Sequence, residues 1–144
     1  MVTQARKGHY AAKHAPDGQP DGRIAARVRL RADAEQLSCT AAERIAAELG
    51  VTMAAVGRTL DLLEVRITCC QIGLFGCPPS GKIVRPEAAG PELQKAIGTH
   101  LSEGRLSCAE VWRIAAGMEL PRLKVASACE ALEIRIKPCQ LGAF

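Results

Sequence analysis

The sequence predicts an α+β, mainly helical chain of two tandem modules, each with three helices and a small β-hairpin. Three observations lead there. Residues 37–75 align with residues 106–144 without a gap, at an offset of 69 and with 16 identities in 39 positions. The matched blocks are LSC, RIAA, a lone Val, LE, RI, CQ, Gly and Phe, and self-similarity of this length marks a duplicated unit. Between those blocks the apolar residues recur at helical spacing. Each copy then closes on a short β-branched run, VRI at 65–67 and IRI at 134–136, which reads as a strand.

Composition fits that class. A chain of 144 residues is one ordinary domain or two very small ones. Hydrophobic residues make up 48% and charged residues 24%, too balanced for a wholly disordered chain. No apolar run is long enough to span a bilayer. The basic start, MVTQARKGHY, has no apolar stretch behind it, so no secretory signal is read and a cytoplasmic location is expected. Aromatics amount to 3%, namely Tyr10, Phe75, Trp112 and Phe144. That is too few to build a stacking platform for single-stranded nucleic acid.

The elements follow in order. Residues 1–22 are rich in Gly, Pro and charge and are expected to form a flexible basic tail. Residues 1–31 hold seven Lys/Arg and two Asp/Glu, residues 32–76 three and six, and residues 77–144 nine and seven. The positive excess therefore belongs mainly to the N-terminal arm, which suits either phosphate contact or simple solvation. Module 1 spans 23–76. Its first helix comes from IAARVRLRADAEQ, and Thr40–Glu43 fits a capping box for the second. Ile45 and Leu49 share a face; Gly50-Val51-Thr52 breaks the helix, and Thr52 can cap the next. The third helix places Val56, Leu60 and Leu63 on one side. VRI then pairs with CQIGLF (70–75) as the return strand of a hairpin.

Residues 77–90, with their Pro, Gly and Ser, read as a linker. Module 2 spans 91–144. Leu93, Ile97 and Leu101 form an amphipathic stripe, and Ser107–Glu110 is a capping box. Ile114 and Met118 share a face, and Pro121 stands in the first turn of the next helix. IRI and CQLGAF complete the second hairpin.

The stretch Ala46-Ala47-Glu48-Leu49-Gly50-Val51, followed by Val56, resembles the winged helix-turn-helix superfamily of transcriptional regulators. A small residue lets two helices approach, a glycine takes the left-handed turn, and a β-branched residue packs the third helix onto the second. Copy two keeps Ala115 and Val125 but has Glu119 where the turn glycine belongs, a departure from the pattern. The resemblance implies duplex DNA as partner, read by the exposed start of each third helix. Those positions are Thr52, Met53, Ala55, Arg58 and Thr59 in copy one, and Arg122, Lys124, Ser127 and Ala128 in copy two. Only Arg58 of the first set can make a bidentate contact to guanine.

Seven cysteines in a reducing compartment are expected as free thiols. No CxxC occurs, and the vicinal pair Cys69-Cys70 is not a zinc signature. Cys39 and Cys108 stand at helix starts, where the helix dipole favours thiolate. Cys70 and Cys139 lie beside the hairpin turns. Each pair reads as small core residues or, alternatively, as a redox switch or half of a metal site. Gly76–Lys82 fits a phosphate-loop spacing, but Ile83 replaces the magnesium-binding hydroxyl and the prolines remove amides, so no nucleotide is expected. His9, His14 and His100 read as surface residues. No nucleophile–base–acid arrangement is present. The expectation is therefore a non-enzymatic DNA-binding regulator without cofactor. The alternative is a protein-interaction or homo-oligomeric module, or a thiol- or metal-dependent sensor that does not touch DNA.

Overall fold

The computed structural model describes residues 10–15 and 18–144. The chain is α+β and mainly helical, and its contacts divide it into two compact units that meet between Cys69 and Cys70.

The first described element of unit 1 is one 3-10 turn, Tyr10–Lys13. Helix α1, Gly22–Arg31, starts where the Asp21 carboxylate accepts from the backbone N–H groups of Arg23 and Ile24, which satisfies two of its orphan donors. Ile24, Ala25 and Val28 form its buried stripe. Ala34 and Glu35, both at positive φ, turn the chain into strand β1, Gln36–Ser38. Helix α2, Cys39–Leu49, is capped by Ser38, whose Oγ accepts from Ala41 N at 3.1 Å. The cap is thus Ser38 and not Thr40: the LSC block sets the helix start in both copies. Gly50 ends α2 at φ 64° and ψ 35°. Thr52 then caps helix α3, Met53–Leu62, through Ala55 N. Strand β2, Arg66–Thr68, follows.

Unit 2 repeats this order. Helix α4 is Pro91–His100, strand β3 Arg105–Leu106, helix α5 Cys108–Met118, helix α6 Arg122–Ala131 and strand β4 Arg135–Ile136. Each begins 69 residues after its counterpart. Ser107 caps α5 through Glu110 N at 3.1 Å, and Pro121 takes the N-cap position of α6, the place Thr52 holds in unit 1. Leu101 lies beyond α4 and is exposed, so the buried stripe is Leu93 and Ile97 alone.

The expected hairpins do not form. Strand β2 pairs in parallel with β1, in the register Gln36↔Arg66, Leu37↔Ile67, Ser38↔Thr68. Strand β4 pairs in parallel with β3. A parallel partner must lie across a crossover, and α2 with α3, or α5 with α6, supplies it. The segments read as return strands are compact loops. Cys70 N donates to Phe75 O at 3.0 Å and Gly73 N to Cys70 O at 3.0 Å; Cys139 N donates to Phe144 O at 2.9 Å and Gly142 N to Cys139 O at 3.1 Å. Backbone groups spent within a loop leave none for a strand edge.

Cys70–Phe75, which belongs to copy one by sequence, folds with unit 2. Ile72 is fully buried in a core with Ile97, Leu106, Val111, Val125 and Cys129. Phe75 and Phe144 meet edge to face, ring centres 6.3 Å apart. The proline-rich stretch also has defined partners. Val84 is buried, Ile83 N and Val84 N both donate to Gly73 O, and Glu87 N donates to Ser127 O at 3.1 Å. Lys82 pairs with Glu130 on α6 at 2.7 Å. Lys13 pairs with Asp61 on α3 at 3.1 Å, and both residues of this pair lie 69 positions earlier. The structural repeat therefore starts upstream of the sequence match: a strap crosses the third helix in each unit.

Candidate functional site

The helix pair that carries the family resemblance is present in both units. In unit 1, α2 and α3 are joined by Gly50, Val51 and Thr52. Ala46 and Val56 are buried between the elements, as a small residue and a β-branched residue should be for close helix approach. The Gly50 turn is left-handed, Val51 N returns to Ala46 O at 3.0 Å and Gly50 N to Ala47 O at 3.4 Å, closing the helix in a Schellman motif. In unit 2, Glu119 adopts φ 55° and ψ 44°, and Leu120 N returns to Ala115 O at 2.9 Å. The same turn is kept without glycine.

The positions expected to face DNA divide sharply. In unit 1, Thr52 and Arg58 are exposed, and Met53 and Ala55 are half-buried. Arg58 Nη1 reaches Gln19 O at 3.4 Å. Thr59 is buried and its hydroxyl donates to Ala55 O at 3.0 Å, so it faces the core and cannot present to a groove. In unit 2, Lys124 is exposed but ion-paired with Glu87. Arg122 lies flat over Trp112, 3.6 Å from the ring centre, and donates to Gln71 Oε1 at 2.7 Å. Such stacking holds the guanidinium in place. Ser127 and Ala128 are buried. Of this second set, Lys124 alone among the exposed residues carries a charge.

The strap explains part of this, and corrects the reading of His14 and of the tail around it. Tyr10 N and Ala11 N donate to the Glu64 carboxylate at 3.2 and 2.7 Å. His14 Nε2 stands 2.9 Å from Asp61 Oδ2, whose carboxylate is buried in α3. Residues 10–15 are thus anchored to α3, not a solvated arm. His100 is likewise engaged, by Ala96 O at 2.8 Å and by Glu110. His9, with the rest of 1–9, lies outside the described residues.

The thiols also depart from expectation. Cys69 and Cys77 are disulfide-bonded, so the seven are not all thiols; Cys39, Cys70, Cys108, Cys129 and Cys139 carry no disulfide. Cys108 starts α5 as expected, yet burial pushes its thiol from an ordinary 9.0 up to about 11. A hydrogen bond from Gln140 Nε2 at 3.6 Å works the other way, while the neighbouring Cys139 and Cys70 thiols add to the rise. Desolvation therefore outweighs the helix dipole here. Burial likewise raises Cys129 to about 11. Cys39 and Cys108 are buried, Cys70 and Cys139 half-buried. Among the described residues no group of three or more His, Cys, Asp or Glu has metal-holding geometry.

One surface escaped the sequence reading. In unit 2 the inward residues of the two-stranded sheet are Leu106 and Ile136. Strand alternation then puts Arg105, Ser107, Arg135 and Lys137 on the outward face. The signal was present as the alternating runs Arg-Leu-Ser and Arg-Ile-Lys, but only the parallel register brings them side by side.

No helix among the described residues is long and apolar enough to cross a membrane. No family model, curated protein or solved structure matches the chain.

Proposed function

We propose that the chain is a non-enzymatic, DNA-binding regulatory protein built from two helix-turn-helix-like modules, acting in the cytoplasm, with unit 1 as the part that meets the duplex. The observation that carries this reading is the open start of α3. Thr52, Ala54 and Arg58 are exposed on the second helix of a helix–turn–helix pair, the place from which such modules contact base edges. The small side chains at 54 and 55 permit close approach to a groove, and Arg58 supplies the fork that fits guanine. A parallel strand pair occupies the place of a hairpin wing, so wing contacts to DNA form no part of the proposal.

The test is binding of the full chain to random-sequence duplex at several salt concentrations. A steep fall in affinity with salt is the expected result. Arg58→Ala should weaken binding to a selected site by about 1–3 kcal/mol and relax preference at one base position. Absence of binding at low salt would overturn the reading. A second reading, a module that docks a protein instead of DNA, is favoured for unit 2 by a specific observation: its strap occupies the α6 surface around Ser127 and pairs with Lys124.

A further inference from the structure

On the outward face of β3 and β4, unit 2 holds a cavity of about 340 Å³, at the small end of the range that ligand sites occupy. Arg105, Lys137 and His100 line it, with the hydroxyls of Ser102 and Ser107. These three side chains come from different elements: a strand start, a strand exit and a helix end. Among the described residues Lys137 has no ion-pair partner, and Arg105 has only the exposed Glu103 at 3.7 Å. The Lys137 ammonium is thus open to an anionic ligand.

Glu103, Pro138 and Glu110 complete the lining; the Glu103 carboxylate is exposed and reaches Arg105 only at 3.7 Å. Glu110 Oε1 is taken by Arg113, which offsets its charge. Its Oε2 is buried with no hydrogen bond, 3.5 Å from His100 Nε2. A buried acceptor left unsatisfied calls for a donor. The same place in unit 1 is different: Arg31, Asp33, Gln36, Ser38, Ala41 and Thr68 stand where unit 2 has His100, Ser102, Arg105, Ser107, Glu110 and Lys137. Both the strand cations and the acceptor are specific to unit 2, so they are not a by-product of the shared fold.

We propose that this cavity binds a small phosphate monoester that carries a hydroxyl group, such as a sugar phosphate. The phosphoryl oxygens meet Arg105 and Lys137, with Ser102 and Ser107 as neutral donors. Two cationic arms and two hydroxyls converging from different elements suit a tetrahedral, three-oxygen group better than a planar carboxylate, and Arg supplies a bidentate contact where Lys supplies a point charge. The ligand hydroxyl donates to Glu110 Oε2. The site goes beyond the DNA reading and does not depend on it: unit 1 can fail to bind duplex while this cavity fills.

The experiment titrates the full chain, by calorimetry and by the fluorescence of Trp112, the single tryptophan, which lies on α5 two residues from Glu110. The probes are ribose 5-phosphate, inorganic phosphate and a short random duplex. Ribose 5-phosphate is expected to bind about tenfold or more tightly than inorganic phosphate, through the added hydrogen bond. Arg105→Gln and Lys137→Gln each should weaken both small probes about tenfold or more, whereas Arg66→Gln, at the corresponding strand of unit 1, should leave both unchanged. Glu110→Gln should narrow the advantage of the sugar phosphate without abolishing phosphate binding. No response to either small probe at millimolar concentration, in protein whose circular dichroism is native, would overturn the proposal. So would unaltered affinity in both strand variants. Duplex binding that the strand variants weaken, without any sugar-phosphate binding, would assign the cations to a nucleic-acid backbone and equally overturn it.

Discussion

Units 1 and 2 fold the same 69-residue pattern, yet their chemistry has diverged at corresponding places. The third helix begins with Thr52, Met53 and Ala54 in one and with Pro121, Arg122 and Leu123 in the other. Arg58 is exposed where Ser127 is buried. The strand face carries one cation, Arg66, in unit 1 and three, Arg105, Arg135 and Lys137, in unit 2. Leu60 fills the core where unit 2 has the thiol of Cys129, and both are fully buried. The lesson is that the apolar skeleton tolerates duplication because its demands are few: buried volume, a cap and a turn. Exposed positions are free to specialise.

The largest expected effect concerns which unit owns the loop at 70–75. Ile72 is fully buried among residues of unit 2. Ile72→Ala should destabilise that unit by about 2–5 kcal/mol, the range for deleting a buried branched side chain. Urea unfolding followed by Trp112 fluorescence reads unit 2 directly. Hydrogen exchange of the α2 amides reads unit 1, and its protection should change far less. Equal losses in both would break the division drawn between Cys69 and Cys70.

How much of this was legible beforehand depends on the range of the interaction. The offset, the helix starts at Ser107 and Thr52 and the turn at Gly50 all follow from local chemistry and could be read from adjacent residues. Strand pairing could not. A three-residue strand has no preference for a downstream over an upstream partner until tertiary packing supplies one, and β2 found Gln36–Ser38 instead of Cys70–Phe75. The straps were hidden for a similar reason. Lys13 and Lys82 are a single identity in otherwise unlike, proline-rich segments, and nothing local announces that each will meet a carboxylate on a helix. The candidate cavity needed the parallel register, since Arg105 and Lys137 are 32 positions apart.

The second effect is the response to alkali, and it should fall on unit 2. Cys108 and Cys129 both titrate at about 11 when folded, against 9.0 for an ordinary thiol. Below 9.0 both native and unfolded thiols hold their protons, and the contribution to stability is fully present. Between 9.0 and about 11 the unfolded chain releases protons that the native chain retains. Stability is therefore lost as pH rises, by on the order of 2–3 kcal/mol per thiol. Cys129→Ala should cost stability at about pH 8, because it leaves a cavity, yet flatten the decline between about pH 8 and about pH 10.5. An unchanged slope would mean that other groups govern the alkaline response. Labelling of the native protein gives a companion check: Cys39, Cys108 and Cys129 should react slowly until denaturant is added, and equal rapid reaction of Cys39, Cys70, Cys108 and Cys139 would instead favour a thiol sensor.

The smallest effect sharpens the comparison most, because it isolates one backbone conformation. Gly50 and Glu119 occupy the same left-handed cap, at φ 64° and φ 55°. Glycine adopts this region freely, whereas a residue with a Cβ carries steric strain there. A Cβ built at Gly50 meets nothing within 4 Å, so Gly50→Ala tests the backbone cost alone, without a packing clash. It should destabilise unit 1 by about 1 kcal/mol, seen as faster exchange of the α2 amides. Glu119→Gly is the mirror experiment. It removes the strain and, although glycine widens the unfolded ensemble, relief at a positive-φ site should leave a net gain of about 0.5–1 kcal/mol. That gain appears as a higher urea midpoint in Trp112 fluorescence. Opposite signs in the two variants would establish that unit 2 holds the turn at a steric cost that glycine avoids in unit 1. A loss of stability in Glu119→Gly would show instead that the Glu119 side chain makes a contribution larger than the strain, and the two turns would then be alike in shape but not in what holds them.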